Sequence, residues 1–448
     1  METPLDPLPD IISNLPEHVM VMILVHLPIK DAVRTCVLSR KWRYIWPTIP
    51  ELVFDENNSN PCSNIDKTPR NCEFVNFIDR VLLVHKGPIH KFYLNTYLQN
   101  YSVVSSWMLF LSRNGVKDLT LSFLGESDES QYEVPSSLFS CETLCYLNLS
   151  CFILEPPPMF NGFGNLKSLR LESVTLTDEA LERMIFTCTV LERLVLYELI
   201  GCFRFKIRGP CLQYFYLIGE FNNICFDDAP RLSSAVMGSY YCAVDEHVGQ
   251  GETSNLNKAL GCLTGLEKLG MYHHFLQILA RGSIPERLPV TLDYLKSITL
   301  EMNFNDLDET SVVLCLLRSS PNLQELWLQV SGLDFTTVSV EEFWEAQHCL
   351  DCSMNQLRVV KVSGISGARP QLEVIKFLLA NSPVLEILSV TPWPNIKEKL
   401  ANSPVLEMLI IAPRPKVKEK RMLQELVRFP CASSKAEIEY NSEFNDED

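Results

Sequence analysis

The chain has no surplus of positive charge. Its 448 residues carry 39 Lys and Arg against 55 Asp and Glu, a formal net charge of -16. That deficit argues against nucleic acid as a main partner, because phosphate binding needs a basic surface. It equally disfavours an anionic membrane surface. Long apolar runs are missing too, and none approaches the roughly 20 residues that span a bilayer. Residues 1–10 are acidic and proline-containing, without the basic start and apolar centre of a secretion signal. The expectation is a protein of the cytoplasm or nucleus.

Catalytic constellations are equally scarce. The sequence holds no His-Glu-x-x-His. Gly364-Ile-Ser-Gly367 lacks the spacing of a nucleophile elbow. Gly162-Phe-Gly-Asn-Leu-Lys167-Ser168 lacks that of a phosphate loop. Cys349-Leu-Asp-Cys352 stands beside His348, but a structural zinc needs two further ligands and none is evident. His273 and His274 are adjacent, so on a strand they point to opposite faces. No catalytic residues, metal ligands or cofactor are expected. Sixteen cysteines are scattered along the chain, and in a reducing compartment they read as small core residues.

Hydrophobic residues, at 46%, are plentiful enough for a sizeable core. They fall into two patterns. The first lies between Asn14 and Trp46. Asn14 and Glu17 have capping-box spacing, and Val19, Met20, Ile23, Leu24 and Leu27 recur at helical intervals. Pro28 ends that helix. Ile29, Val33, Cys36 and Val37 form a second apolar face, and Ser39 caps a third helix with Trp42 and Trp46. Three such short helices hold more apolar residues than they can bury among themselves. A polar stretch from about Glu56 to Arg70 follows, then a helical pattern from Cys72 to Val84.

The second pattern is a repeat, Leu-x-x-Leu-x-Leu. Clean copies start at Leu144, Leu166, Leu191 and Leu323. Looser ones start at Ile89, Val116, Leu212, Leu266, Leu295 and Leu357. The spacing falls near the span of leucine-rich repeats, about 20–29 residues. Each unit is a short strand that cannot bury its apolar side alone, and stacking in parallel builds a continuous core. Helices join the strands, as at 177–185, where Thr177 is the expected cap and Leu181, Met184 and Ile185 the inner face. Residues 239–261 interrupt the array with a polar, glycine-containing stretch.

Near the C-terminus the chain repeats itself almost verbatim. Leu379-Ala-Asn-Ser-Pro-Val-Leu-Glu-Ile-Leu returns 21 residues later as Leu400-Ala-Asn-Ser-Pro-Val-Leu-Glu-Met-Leu. Each copy continues through two prolines to Lys-Glu-Lys. This reads as a recent duplication, 379–399 and 400–420. Pro392 and Pro413 fall just after the strand pattern.

Leu15-Pro16, Ile23-Leu24, Leu27-Pro28, Ala32-Val33, Val37 to Arg43 and Trp46 resemble the F-box, the adaptor motif of cullin-type ubiquitin ligases. Leu357 to Gly367, Leu372 to Leu379, Ser382 to Glu386 and Arg428 to Glu439 resemble the FBD module, which accompanies F-boxes and leucine-rich repeats in a large plant family. The resemblance implies an α/β chain: a three-helix F-box at 11–50, a linker at 51–71, and leucine-rich repeats at 72–348 forming a curved parallel sheet with helices outside. An FBD cap at 349–440 continues the array, and an acidic tail fills 441–448. It implies docking on a Skp1-like protein, and through it a cullin, by Leu15, Pro16, Ile23, Leu24, Leu27, Pro28, Val37, Leu38 and Trp42. Some of these also have to pack the three helices internally.

In each repeat, inward residues at positions 4 and 6 leave 3, 5 and 7 facing solvent. That rule selects Arg193, Tyr197, Tyr214, Tyr216, Tyr272, Glu325, Trp327 and Gln329 as a face for an unidentified target protein, rich in residue types typical of binding hot spots. The expected function is a non-catalytic substrate adaptor. Rivals are a small-molecule co-receptor, which would want a basic pocket floor and finds only Arg170 and Arg193, and a scaffold outside any ligase.

Overall fold

In a computed structural model the described residues are 12, 14–56, 67–96, 102–123, 132–240, 255–331, 341–348, 352–392, 426 and 428–440. They divide into two compact units, Met1–Cys202 and Phe203–Asp448. Most of the expected polar linker, residues 241–254 of the interruption expected at 239–261, the second duplicated copy and the acidic tail lie outside the described residues, whereas Ser239 ends a strand and Asn255–Leu260 form a helix.

The first unit opens with α1 (Glu17–Val25), α2 (Ile29–Arg34) and α3 (Arg40–Ile45). Asn14 is not the cap of α1. The helix starts after Pro16, whose carbonyl accepts from Val19 N–H and Met20 N–H, because proline's fixed φ suits a helix entrance. Pro28 likewise starts α2, three residues after α1 has ended. Ser39 does cap α3, its Oγ accepting from Trp42 N–H at 3.5 Å. Met20, Leu24, Ala32, Trp42, Ile45 and Ile49 form the buried centre, with Leu15 and Trp46 packed against it. Lys41 Nζ donates to the Leu15 carbonyl and ties the entrance of α1 to α3.

Strand β1 (Glu51–Asp55) follows at once, where a linker was expected. Ile49, Leu52 and Phe54 are buried at repeat positions 1, 4 and 6, so the first repeat begins inside the helical module. The Ile49 carbonyl is held by His85 Nε2 at 2.9 Å, one residue beyond α4 (Lys67–Val84). Burial lowers the His85 pKa, and the bond to Ile49 opposes that shift. On α4, Phe74, Ile78, Val81 and Leu82 point inward while Leu83 faces out.

A parallel sheet then grows through β2 (Lys91–Thr96), β3 (Asp118–Phe123), β5 (Tyr146–Ser150), β7 (Ser168–Glu172) and β8 (Arg193–Tyr197). α5 (Ser102–Arg113) and α6 (Asp178–Thr187) lie between strands, and β4 (Tyr132–Glu133) pairs with β6 (Phe152–Ile153) in a small separate ladder. Thr177 Oγ1 caps α6 through Ala180 N–H at 3.2 Å, and Leu181, Met184 and Ile185 are buried. Each strand starts with a shared acceptor: the N–H groups of Cys145 and Tyr146 both donate to the Lys117 carbonyl, and those of Lys167 and Ser168 to Cys145. After β5, β7 and β8 the chain turns through a left-handed residue, Cys151, Ser173 or Glu198, with φ of 65°, 50° and 49°. This turn sends Phe152, Val174 and Leu199 back into the core.

The second unit holds β9 (Arg204–Arg208) paired with β11 (Asn223–Asp228), and a parallel sheet in the order β10 (Tyr214–Gly219), β12 (Ser234–Ser239), β13 (Lys268–His273), β14 (Ser297–Met302), β15 (Glu325–Val330), β16 (Val359–Ile365), β17 (Ile387–Pro392), β18 (Glu437–Tyr440). The helices are α7 (Asn255–Leu260), α8 (Phe275–Leu279), α9 (Leu307–Arg318), α10 (Glu341–His348) and α11 (Arg369–Asn381). Pro392 is the last residue of β17, not the residue after it. The apolar positions of all ten repeats read from the sequence are at most 2% exposed. The structure adds Leu232, Ala235 and Met237, and Leu385, Leu388 and Val390, all fully buried at the same three positions.

Candidate interaction surfaces

In the helical module, the residues with docking roles by resemblance separate into two sets. Leu24 and Trp42 are 1% and 2% exposed, so they shape the module from within. The Trp42 Nε1 is buried without a hydrogen-bond partner among the described residues. Leu15 is half-buried. Pro16, Ile23, Leu27, Pro28, Val37 and Leu38 are exposed, Val37 to 81% and Leu38 to 61%. Met22 and Tyr44, outside the docking set that the resemblance implies, are exposed as well. Covering apolar side chains of this size gains roughly 1–2 kcal/mol each. A closed core beside such outward residues is an arrangement suited to an apolar partner.

The strand faces carry the second surface, and the two units are taken in turn. In the first, Arg193 is exposed and Tyr197 half-buried at the two ends of β8. The offset rule also selects Tyr93 on β2 and Tyr146 on β5, both missed from sequence, although the same signal marks them. Burial raises the Tyr93 pKa, and Asp55 adds to the shift. Arg170 Nη2 lies 2.9 Å from Glu172 Oε2. That guanidinium is already engaged, which removes half of the basic floor a small acidic ligand would need.

In the second unit Tyr214 and Tyr216 are half-buried on β10, and Glu325, Trp327 and Gln329 are exposed on β15. Tyr272, at position 7 of its repeat, is further covered by its own strand. It is half-buried, and a Cβ built at Gly270 would lie 3.1 Å from its Cε2. The ring therefore lies down along its own strand over Gly270. Burial raises its pKa, and Glu301 reinforces the shift. Behind it His273 N–H donates to Glu301 Oε2 at 3.1 Å, and the His273 and Tyr240 rings are 4.5 Å apart. His273 turns left-handed at the end of β13 and His274 precedes α8, so neither occupies a regular strand position.

Trp327 is the most prominent aromatic of this face, 42% exposed, with Lys361 Nζ 4.1 Å from its ring centroid. Its other strand neighbour is the short Thr299. Lys361 occupies a position 5, like Trp327, and the same offset rule marks it. Among the described residues no cluster of three or more His, Cys, Asp or Glu is arranged to hold a metal ion. Cys349 lies outside the described residues, and Cys352 is buried.

Comparison with known proteins assigns these surfaces to a family. The F-box domain model matches residues 12–52, the model for the LRR repeats of "FBD-associated F-box protein At5g56370" matches 104–328, and the FBD model matches 348–390. An Arabidopsis thaliana relative, "F-box/FBD/LRR-repeat protein At1g13570", is 39% identical over 96% of this chain and 98% of its own length. The chain belongs to the F-box/FBD/LRR-repeat family. "F-box/FBD/LRR-repeat protein At5g56420", also from Arabidopsis thaliana, is 27% identical over 86% of this chain and 92% of its own length. F-box domains generally bind Skp1 and, through it, a cullin, and F-box/LRR proteins are generally non-catalytic substrate adaptors. The outward apolar residues of α1 and of the α2–α3 turn lie in the F-box match, and Trp327 lies just within the repeat match, which ends at residue 328.

Proposed function

We propose that this F-box/FBD/LRR-repeat protein is the substrate-recognition subunit of an SCF-type ubiquitin ligase. The F-box docks a Skp1-like protein through Ile23, Leu27, Val37 and Leu38, with Leu15, Pro16 and Pro28 shaping the helix entrances. The exposed strand face, centred on Trp327 in the second unit, holds a target protein. The chain itself supplies proximity: target and ubiquitin-charged enzyme are held together at high effective concentration. The observation that carries this reading is the closed F-box core beside outward Val37 and Leu38. The scattered cysteines support a reducing cytoplasmic or nuclear setting.

Affinity purification with the proteasome blocked tests the two-ended arrangement. Leu38→Asp is expected to lose the Skp1-like protein and cullin yet keep the target. Trp327→Ala is expected to lose the target and keep the Skp1-like protein. Loss of both partners in both variants would contradict separate surfaces.

A further inference from the structure

Of the Asp, Glu, Lys and Arg side chains among the described residues, two are buried, and both belong to α9. Glu309 stands in its first turn, 3% exposed, and Arg318 ends it, 8% exposed. The helix separates them too far to pair. Glu309 has a way to meet its burial. Asn303 N–H donates to its Oε2 at 2.8 Å, and burial pushes its pKa up to about 7, so the carboxyl sheds its charge by taking a proton. Arginine has no such route, because its guanidinium stays protonated in proteins. A buried group of permanent charge needs a counter-charge and a full set of acceptors.

Arg318 has neither. Its Nη2 donates to Gln347 Oε1 at 2.6 Å, a neutral acceptor near the end of α10. Among the described residues that is the guanidinium's one hydrogen bond, and no carboxylate stands within ion-pair distance. The neighbouring hydroxyls are engaged elsewhere. Ser319 Oγ donates to the Cys315 carbonyl and accepts from Leu288 N–H, and Ser320 Oγ donates to the Leu316 carbonyl. Nε is sealed from solvent without a partner. Nη1 also lacks a partner but is not sealed, so it is the end that an incoming group meets.

Arg287 adds to the imbalance. Its Nη1 donates to the Arg318 carbonyl at 3.3 Å, which brings a second guanidinium to the same helix end. The negative end of the α9 dipole compensates in part, but that effect is a fraction of the cost of burying an unpaired charge. Elsewhere in this unit Arg208 faces Asp228 and Arg358 faces Glu386, both on exposed side chains where a lone charge costs little. The counter-ion is thus missing at the one arginine that needs it.

We propose that Arg318 is the centre of a binding site for one compact oxyanion, a phosphate or a carboxylate, received by Nη1 between α9 and α10. A planar guanidinium suits both groups. The slight exposure of Arg318 restricts the ligand to a single small anion. Gln347 lies one residue before the FBD match begins, so the anion ties the last turn of α9 to the entrance of that module. The site does not depend on the proposed ligase role.

Anion titration of the full chain tests it. The protein, dialysed into Tris chloride, is titrated with inorganic phosphate in one arm and sodium acetate in the other, at constant ionic strength. Binding is read from broadening of the anion's own magnetic resonance lines. The wild type is expected to bind at least one of the two anions saturably, and the arm that responds names the group. Arg318→Gln is expected to weaken that binding about tenfold or more. Arg358→Gln, which removes an exposed arginine, is expected to leave it unchanged. The bound anion should also raise the melting temperature of the wild type, by about 2 °C, and not that of Arg318→Gln. Arg318→Lys keeps the charge without the planar fork and covers the case in which the glutamine variant does not fold; binding about threefold weaker or worse is expected. No saturable binding of either anion by the wild type, or equal binding by the wild type and the Arg318 variants, overturns the proposal.

Discussion

Lys361 holds its ammonium 4.1 Å from the centroid of the Trp327 ring, one strand away at the same repeat position. Both side chains face outward from strands whose inward residues are completely buried. A cation–π contact at such an exposed site contributes roughly 0.5–1 kcal/mol. Trp327→Ala is therefore expected to lower stability by no more than about 1 kcal/mol, within the range of surface changes. Its effect on target capture should be far larger, at hot-spot scale of about 2 kcal/mol or more. Thermal unfolding alongside quantitative target capture separates the two. A large drop in Tm would instead place Trp327 in the fold's core energetics.

Glu309 provides a pH signature. It is 3% exposed on α9, with Asn303 N–H donating to its Oε2 at 2.8 Å. Burial pushes its pKa up to about 7, the Asn303 bond opposes the shift, and Asp306 adds to it. A raised acid pKa means that the fold prefers the protonated carboxyl. Its contribution is complete below about pH 4.5 and is lost as pH rises through about 7, a change on the order of 3 kcal/mol. Glu309→Gln keeps an acceptor for Asn303 and carries no charge. It should flatten the stability–pH profile and raise stability above pH 7 relative to the wild type. Parallel profiles for the two proteins would refute the assignment.

Glu198 sits left-handed after β8 at φ 49°. A non-glycine residue there costs about 1 kcal/mol or more. Glu198→Gly should be neutral or stabilising by up to about 1 kcal/mol, whereas glycine inside a strand ordinarily destabilises. Urea unfolding midpoints of the two proteins decide the sign.

Much of the array is legible because its physics is periodic. Leu147, Leu169, Leu194 and Leu326 announce their strands by alternation alone, and the same offsets place Trp327 outside. The pattern fades where one position is small. β12 escapes a leucine count because Ala235 stands at its position 4, between Leu232 and Met237. β1 escapes because its first inward residue, Ile49, also belongs to the helical core. Tyr272 follows the alternation rule, but Gly270 leaves room for its ring to lie flat, and no periodicity conveys that. At α1 the capping spacing of Asn14 and Glu17 competes with Pro16, whose fixed backbone prevails. In the F-box, Leu24 and Leu38 are equally apolar, and only packing shows that one faces in and the other out.

The outward residues of the F-box are the proposed docking face for a Skp1-like protein. The direct measurement is the dissociation constant of the purified full-length chain for a Skp1-like protein, beside that of the Val37→Asp, Leu38→Asp double variant. Both side chains are well exposed, so the variant should unfold at the wild-type temperature. The expected result is at least a 100-fold weaker complex, the loss of about 2.7 kcal/mol. An unchanged dissociation constant with an unchanged Tm would contradict it.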